Sequence, residues 1–384
     1  MIRVPVNPEL IRWACERSGI ARETLEAKFS KLPEWESGKT RPTLKQLEKF
    51  ARSAHVPVGY LFLSAPPEES IPIPDFRTLA GQPLTRPSPN LLDTIHMCQV
   101  RQDWYRDYAR RAGEPEPAFI GRATITTPHA EVAADMRKTL GFDLAARSDC
   151  PTWTGALRLF IRQAGEAGVL VMVSGIVGSN TRRPLDPGEF RGFALSDSLA
   201  PLIFVNGADT KAAQMFTLAH ELAHLWLDTT ALSNLGAKPG EGFQPEEVWC
   251  NAVAAELLVP LAALRANLEK GEELTDTLSR LARHFKVSTL VILRRLLDAG
   301  RIDRTRFDSA WAGEMQRLQH LAQQGQGGGN FYSTTLSRVG RRFARALVVS
   351  TFEGQTLYRD AFRMLGVSKT GTFDALGHEV GVMA

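Results

Sequence analysis

Paired cysteines are missing from this chain. The four present, Cys15, Cys98, Cys150 and Cys250, lie far apart without a Cys-x-x-Cys spacing. That excludes a disulfide framework and a cysteine-built zinc knot, and it leaves free thiols of the kind found in a reducing compartment. Long apolar runs are missing too: the most hydrophobic stretch, Gly168 to Gly178, is far too short to cross a bilayer. The start lacks the basic-then-apolar pattern of a secretory signal, because Pro5, Asn7 and Glu9 interrupt it. The expected setting is therefore the cytoplasm, without a membrane partner. Charge of one sign is not in large excess either. A net charge of +4 permits contact with nucleic acid without calling for it. No internal repeat is present.

What remains is ordinary globular material. Hydrophobic residues make up 43% of 384, enough for a sizeable core and more than a single domain normally holds. Residues 7–63 read as a small helical unit, with apolar stripes through Leu10, Ile11 and Ala14 and through Leu44, Leu47, Phe50 and Ala51. Residues 64–89 carry seven prolines, which block helix and predict a stiff linker or an arm laid against a neighbour. A helix is expected from Leu91 to Ala112. Further helices are expected over 129–140, 156–166, 211–227, 246–258, 275–284 and 288–299, with short strands at 169–173, 192–196 and 202–205. The Gly/Gln-rich residues 323–330 form a break, followed by helices over 334–346 and 357–365. The fold expected is α+β and predominantly helical, with a short sheet.

The chemistry concentrates in His220-Glu221-Leu222-Ala223-His224. Residues four apart on an α-helix share a face, so His220 and His224 can grip one ion while Glu221 stays free to act as a base. Small and apolar neighbours, Met215 to Trp226, predict a buried helix following an edge strand. The plain alternative is a pair of core histidines. A zinc ion needs a third protein ligand, and the next helix offers Glu246, Glu247 and Glu256. Glu247 shares a face with Asn251, Ala254 and Leu258, whereas Glu256 lies half a turn out of phase and Glu246 suits a helix start after Pro245. Cys250 reads as a small buried residue. Zn2+ is the expected ion, although two histidines and a carboxylate also accept Mn2+ or another divalent cation.

Thr217–His224, followed by Glu247-Val-Trp-Cys-Asn251 and running to Leu257-Leu-Val-Pro260, resembles the ImmA/IrrE family of metallopeptidases. The resemblance spans roughly residues 128–300. It implies a minimal gluzincin-like unit with His220, His224 and Glu247 as metal ligands, Glu221 as general base, and amide hydrolysis as the reaction. Residues 1–63 resemble the helix-turn-helix domain of XRE-type repressors through Trp35-Glu-Ser-Gly38, Arg41-Pro-Thr43 and Pro57-x-x-Tyr60-Leu-Phe62. One departure stands out. Nine residues separate Leu25 from Trp35 and include Pro33, so the recognition helix is shortened and base reading in the major groove is disfavoured.

The expected organisation is a helix-turn-helix-like domain at 1–63, a proline-rich linker plus helix at 64–127, the metallopeptidase-like domain at 128–310, and a Gly-rich break with a helical tail at 311–384. The expected function is a zinc-dependent endopeptidase acting on a protein regulator. The resemblance implies a helix-turn-helix repressor as substrate, within a stress, mobile-element or phage-related switch. The alternative is an antitoxin-like or transcriptional binding protein that sequesters a toxin encoded alongside, another protein or DNA, with the metal accessory. Arg338, Arg341, Arg342 and Arg345 suggest either a phosphate-binding stripe or a solvated face in the tail.

Overall fold

A computed structural model describes residues 3–75, 87–233, 244–322 and 331–383. The Gly/Gln-rich break at 323–330 lies outside them. The chain divides into two compact units, Met1–Pro72 with Pro83–His96, and Ile73–Gln82 with Met97–Ala384.

The first unit is built on α1 (Pro8–Ser18), α2 (Arg22–Lys28), α3 (Leu32–Glu36) and α4 (Leu44–Ser53), closed by a 3-10 turn at Val58–Phe62. Sequence fixes the ends of these helices. Asn7 caps α1 before Pro8, Gly19 ends it in the left-handed region, and Thr43 with Gln46 forms a capping box on α4. Leu10, Ala14, Leu25, Leu32, Trp35, Leu47 and Phe50 make its core. The short spacing between Leu25 and Trp35 has its outcome in α3, which has only five residues.

The second unit takes most of α5 (Pro89–Ala112), then α6 (His129–Leu140), α7 (Leu144–Ser148), α8 (Trp153–Glu166) and β1 (Leu170–Ser174). Next come β2 (Gly192–Leu195), β3 (Leu202–Asn206), α9 (Lys211–Trp226), β4 (Ala231–Ser233) and α10 (Pro245–Leu258). The helices α11 (Leu261–Ala266), α12 (Leu274–Phe285), α13 (Thr289–Asp298) and α14 (Arg304–Ala322) follow, and α15 (Phe331–Val339), α16 (Arg341–Phe352), α17 (Tyr358–Leu365) and α18 (Thr370–Glu379) complete it. The fold is thus α+β and predominantly helical around a four-stranded sheet.

The sheet order is β1-β3-β2-β4, with β1 and β3 parallel and the other pairs antiparallel. All four strands are buried along their length, as expected when both faces are covered. Val171, Val173, Ala194, Ile203 and Val205 face the core that also contains α8 and α9. On α5, the Gln102 amide donates to the carbonyls of Leu195 and Ala200 at 2.9 Å, and the Arg101 guanidinium donates to the Met364 carbonyl at 2.9 Å. These bonds tie α5 to the sheet and to α17.

Two expectations need correction. The strand that leads into α9 is β3, and it lies inside the sheet between β1 and β2, so it is not an edge strand. The tail arginines do not form one stripe. Gly340, at φ +79°, breaks the expected helix into α15 and α16, and Arg342 is spent inside the unit on Glu114 at 2.6 Å and on the Tyr105 hydroxyl. The helices α7, α11, α14 and α18 and the three-residue β4 have no counterpart in the sequence reading.

At Gly340 a β-carbon would stand 2.8 Å from the Val171 carbonyl oxygen, in a backbone conformation that side chains rarely adopt. Gly340→Ala is therefore expected to destabilise the protein by about 1–3 kcal/mol. Chemical denaturation would read this as a lower midpoint with an unchanged slope.

Candidate metal centre

The helix α9 begins at Thr210, whose hydroxyl accepts from the Ala213 amide. From Gln214 onward almost every side chain is buried, which is the pattern of a helix enclosed on all sides. Its last carbonyls are also satisfied: those of Leu225 and Trp226 accept from the amides of Gly121 and Ala123. Phe119 stacks on Trp226 at 4.2 Å, and the Trp226 indole donates to Asp135. The histidines thus ride on a helix fixed at both ends.

His220 and His224 project toward α10, and Glu247 meets them from its first turn. The two Nε2 atoms are 3.0 Å apart, His220 Nε2 lies 3.3 Å from Glu247 Oε2, and His224 Nε2 lies 3.1 Å from Glu247 Oε1. Ligands at zinc–nitrogen distances on a tetrahedron stand about 3.3 Å from one another. The triangle fits a divalent ion. His220, Glu221 and His224 have no exposed surface and Glu247 is 2% exposed, so the site is closed to a peptide as it stands.

Electrostatics favour the ligating forms. Burial would raise Glu247, but the charges and hydrogen bonds of His220 and His224 outweigh it and hold the carboxyl well below its usual range. Burial pushes His224 down, toward the neutral imidazole that a metal binds. Glu221 behaves oppositely. Burial first, and then the nearby Glu247 charge, push its carboxyl well above the ordinary range, with the Ser233 hydroxyl opposing. Apart from the nearby Ser233 hydroxyl, the two buried Glu221 oxygens have no hydrogen-bond partner, as expected of a group kept for proton transfer rather than for structure.

Space beside Glu221 depends on Gly192 in β2. A β-carbon there would fall 2.6 Å from Thr217 Cγ2, 2.9 Å from the Phe204 carbonyl oxygen and 3.1 Å from Glu221 Oε1. The Ser233 hydroxyl in β4 lies 3.5 Å from Glu247 Oε1. Sequence reasoning missed both residues. No signal marks Ser233, which sits in a strand of three, but the glycine opening the 192–196 run was a hint of close approach.

The competing carboxylates are accounted for. Glu256 pairs with the Arg295 guanidinium at the far end of α10, and Glu246 stands in the first turn of that helix. Three arginines hold the C-terminal carbonyls of this stretch: Arg137 binds that of Glu256 at 2.9 Å, Arg147 that of Leu258 at 2.5 Å, and Arg295 that of Val259 at 2.9 Å. Cationic groups at a helix C-terminus complement its dipole. Burial, with Arg137 adding to it, lowers Arg147 to about 9. Cys250 is fully buried on α10, and burial raises its thiol well above the ordinary range. Tyr358, a conceivable transition-state partner by chemistry alone, packs instead on Phe362 and Phe373.

Residues 165–297 match the family model of the IrrE N-terminal-like domain, a peptidase family. The matched stretch holds β1–β4, α9 and α10, and with them all four site residues. A second match, to a domain of unknown function, covers residues 339–379. No curated protein matches the chain. The IrrE-type match agrees with the ImmA/IrrE resemblance for this part of the chain, and a buried His-His-Glu group suited to a divalent metal accompanies it.

Two outcomes are expected. Glu247→Ala or His224→Ala should lose most of the divalent metal that wild type retains, read by metal analysis after gel filtration, because two ligands do not hold the ion that three hold. Glu221→Gln should raise the stability of the metal-free protein at neutral pH by about 1–3 kcal/mol, by removing the cost of keeping a buried carboxyl protonated where the unfolded chain would ionise it. The sign follows from the raised carboxyl: its contribution is complete below the unfolded Glu range and is lost as pH rises through the folded value. Metal-free wild type should therefore lose stability toward alkaline pH more steeply than Glu221→Gln, as thermal melts across pH would report.

Proposed function

We propose that the chain is a zinc-dependent endopeptidase that cuts a protein regulator, with His220, His224 and Glu247 as ligands and Glu221 as general base. The observation that carries this reading is the Glu221 carboxyl, buried with no partner but the nearby Ser233 hydroxyl, beside a triangle of ligands spaced for one ion. A divalent ion held there would supply Lewis acidity toward a peptide carbonyl. Glu221 would take a proton from the attacking water and deliver it to the leaving amine, and Ser233 would steady Glu247. A purely structural metal has no use for a base at this position.

The substrate class we favour is a helix-turn-helix repressor, the class that the ImmA/IrrE resemblance implies, in a stress, mobile-element or phage-related switch. Zinc is the ion favoured by this donor set, with Mn2+ as the other candidate. The helix-turn-helix-like character of the first unit belongs to the same proposal. Its α3 of five residues favours a module that holds a protein over one that reads DNA, even though Lys28, Lys31, Lys39 and Arg41 are exposed around it.

A second reading has one observation in its favour, the complete burial of the metal group. In it the chain is an antitoxin-like or regulatory binding protein and the metal is accessory. Incubation of the zinc-loaded chain with candidate repressors separates the two. Under the peptidase reading, wild type cleaves at a defined bond, chelator abolishes cleavage, and Glu221→Gln lowers the rate by roughly 10²-fold or more. A stable complex unaffected by that substitution supports the binding protein instead.

A further inference from the structure

A sheet offers a peptide two edges, and here they are closed by different means. At β1 the closure is helical: Gly340 is packed against the Val171 carbonyl, and the Ser337 hydroxyl donates to the Val173 carbonyl at 3.3 Å. At β4 the closure is a few residues of extended chain. In the antiparallel register with β2, Leu232 opposes Phe193, while the Ser233 carbonyl accepts from the Arg191 amide. Alternation then turns the Leu232 backbone away from β2, toward the open side. Its N–H donates to the Pro74 carbonyl at 3.0 Å, and Asp75 pairs with it in parallel. Ile73 is buried beside this contact, at 7% exposure.

We propose that the outer edge of β4 is the docking edge for an extended peptide, and that Ile73–Asp75 occupies it in cis as a displaceable strap. The proposal rests on the peptidase reading for its purpose, though not for its test. Edge strands recruit peptides through main-chain hydrogen bonds. Leu232 is the residue before Ser233, whose hydroxyl faces Glu247, so a peptide added here runs past the metal group. The strap suits a temporary occupant. Pro72 and Pro74 have no N–H, so at those two positions the segment cannot donate to a ladder, and it holds the edge through the Pro74 carbonyl, the Asp75 bridge and the Ile73 side chain. A peptide with an ordinary amide where the strap has Pro74 keeps a donor that the strap lacks. Displacement of these residues would open an edge beside a site that is otherwise enclosed.

The test uses the full zinc-loaded chain carrying Glu221→Gln, with and without Ile73→Asp, and Ile73→Ser as a milder second variant. The probe is a fluorescein-labelled peptide of residues 67–75. The strap predicts that either Ile73 variant binds this peptide at least roughly tenfold more tightly than its parent, and that the Leu232 amide exchanges its hydrogen at least roughly tenfold faster. Equal peptide affinity, or unchanged Leu232 exchange in a variant that keeps its zinc and its near-ultraviolet circular dichroism, overturns the proposal. In chains with Glu221 intact, peptide capture by the Ile73 variants without any hydrolysis keeps the strap and removes the peptidase reading. Zinc-dependent hydrolysis by wild type, with no gain in rate or affinity in the variants, keeps the peptidase reading and removes the strap.

Discussion

Two imidazoles and a carboxylate must be held about 3 Å apart inside a protein core, and much of the second unit is arranged around that demand. The groups come from two helices, so the triangle survives only if α9 and α10 keep their relative rotation and depth. Each helix is fixed at its C-terminal end as well as along its packed faces. The carbonyls at the end of α9 are met by amides from the chain before α6, and those at the end of α10 by three arginines. A metal would add the bond that joins the two helices directly.

The site also spends stability. A carboxyl buried so deeply that its ionisation is suppressed opposes folding, and a glycine at 192 gives up strand propensity to make room for it. Neither choice improves a core. Both make sense where a proton must be taken up and released, which is why Glu221 argues more strongly for chemistry than the metal triangle does. The triangle alone would serve a structural ion equally well.

The histidine pair and Glu247 were legible in the sequence because helical phase is local: positions four apart share a face, and Glu247 could be ranked over Glu256 by counting turns. The longer helices from 129 to 299 and three of the strands were legible from local periodicity too, whereas the short α7 and α11 were not. Features made by distant partners were not. Arg137, Arg147 and Arg295 look like surface arginines until the end of α10 arrives among them, and the break at Gly340 is dictated by a carbonyl of β1. The strand β4, three residues long, carries no period to detect. The arginine run at 338–345 misled because a helical face was counted across a glycine that ends the helix. The position of β3 misled because sheet order is a property of crossovers, invisible along the chain.

The small size of β4 has a further consequence, for solubility. An edge that accepts a peptide will also accept the edge of another molecule, the first step toward fibrous aggregates. Among the described residues, the open side presents the backbone of Leu232 alone, between neighbours already paired to β2. Such a stub can hold one short guest and yet offers too few hydrogen bonds to template a growing stack. The opposite edge lies under α15 and α16.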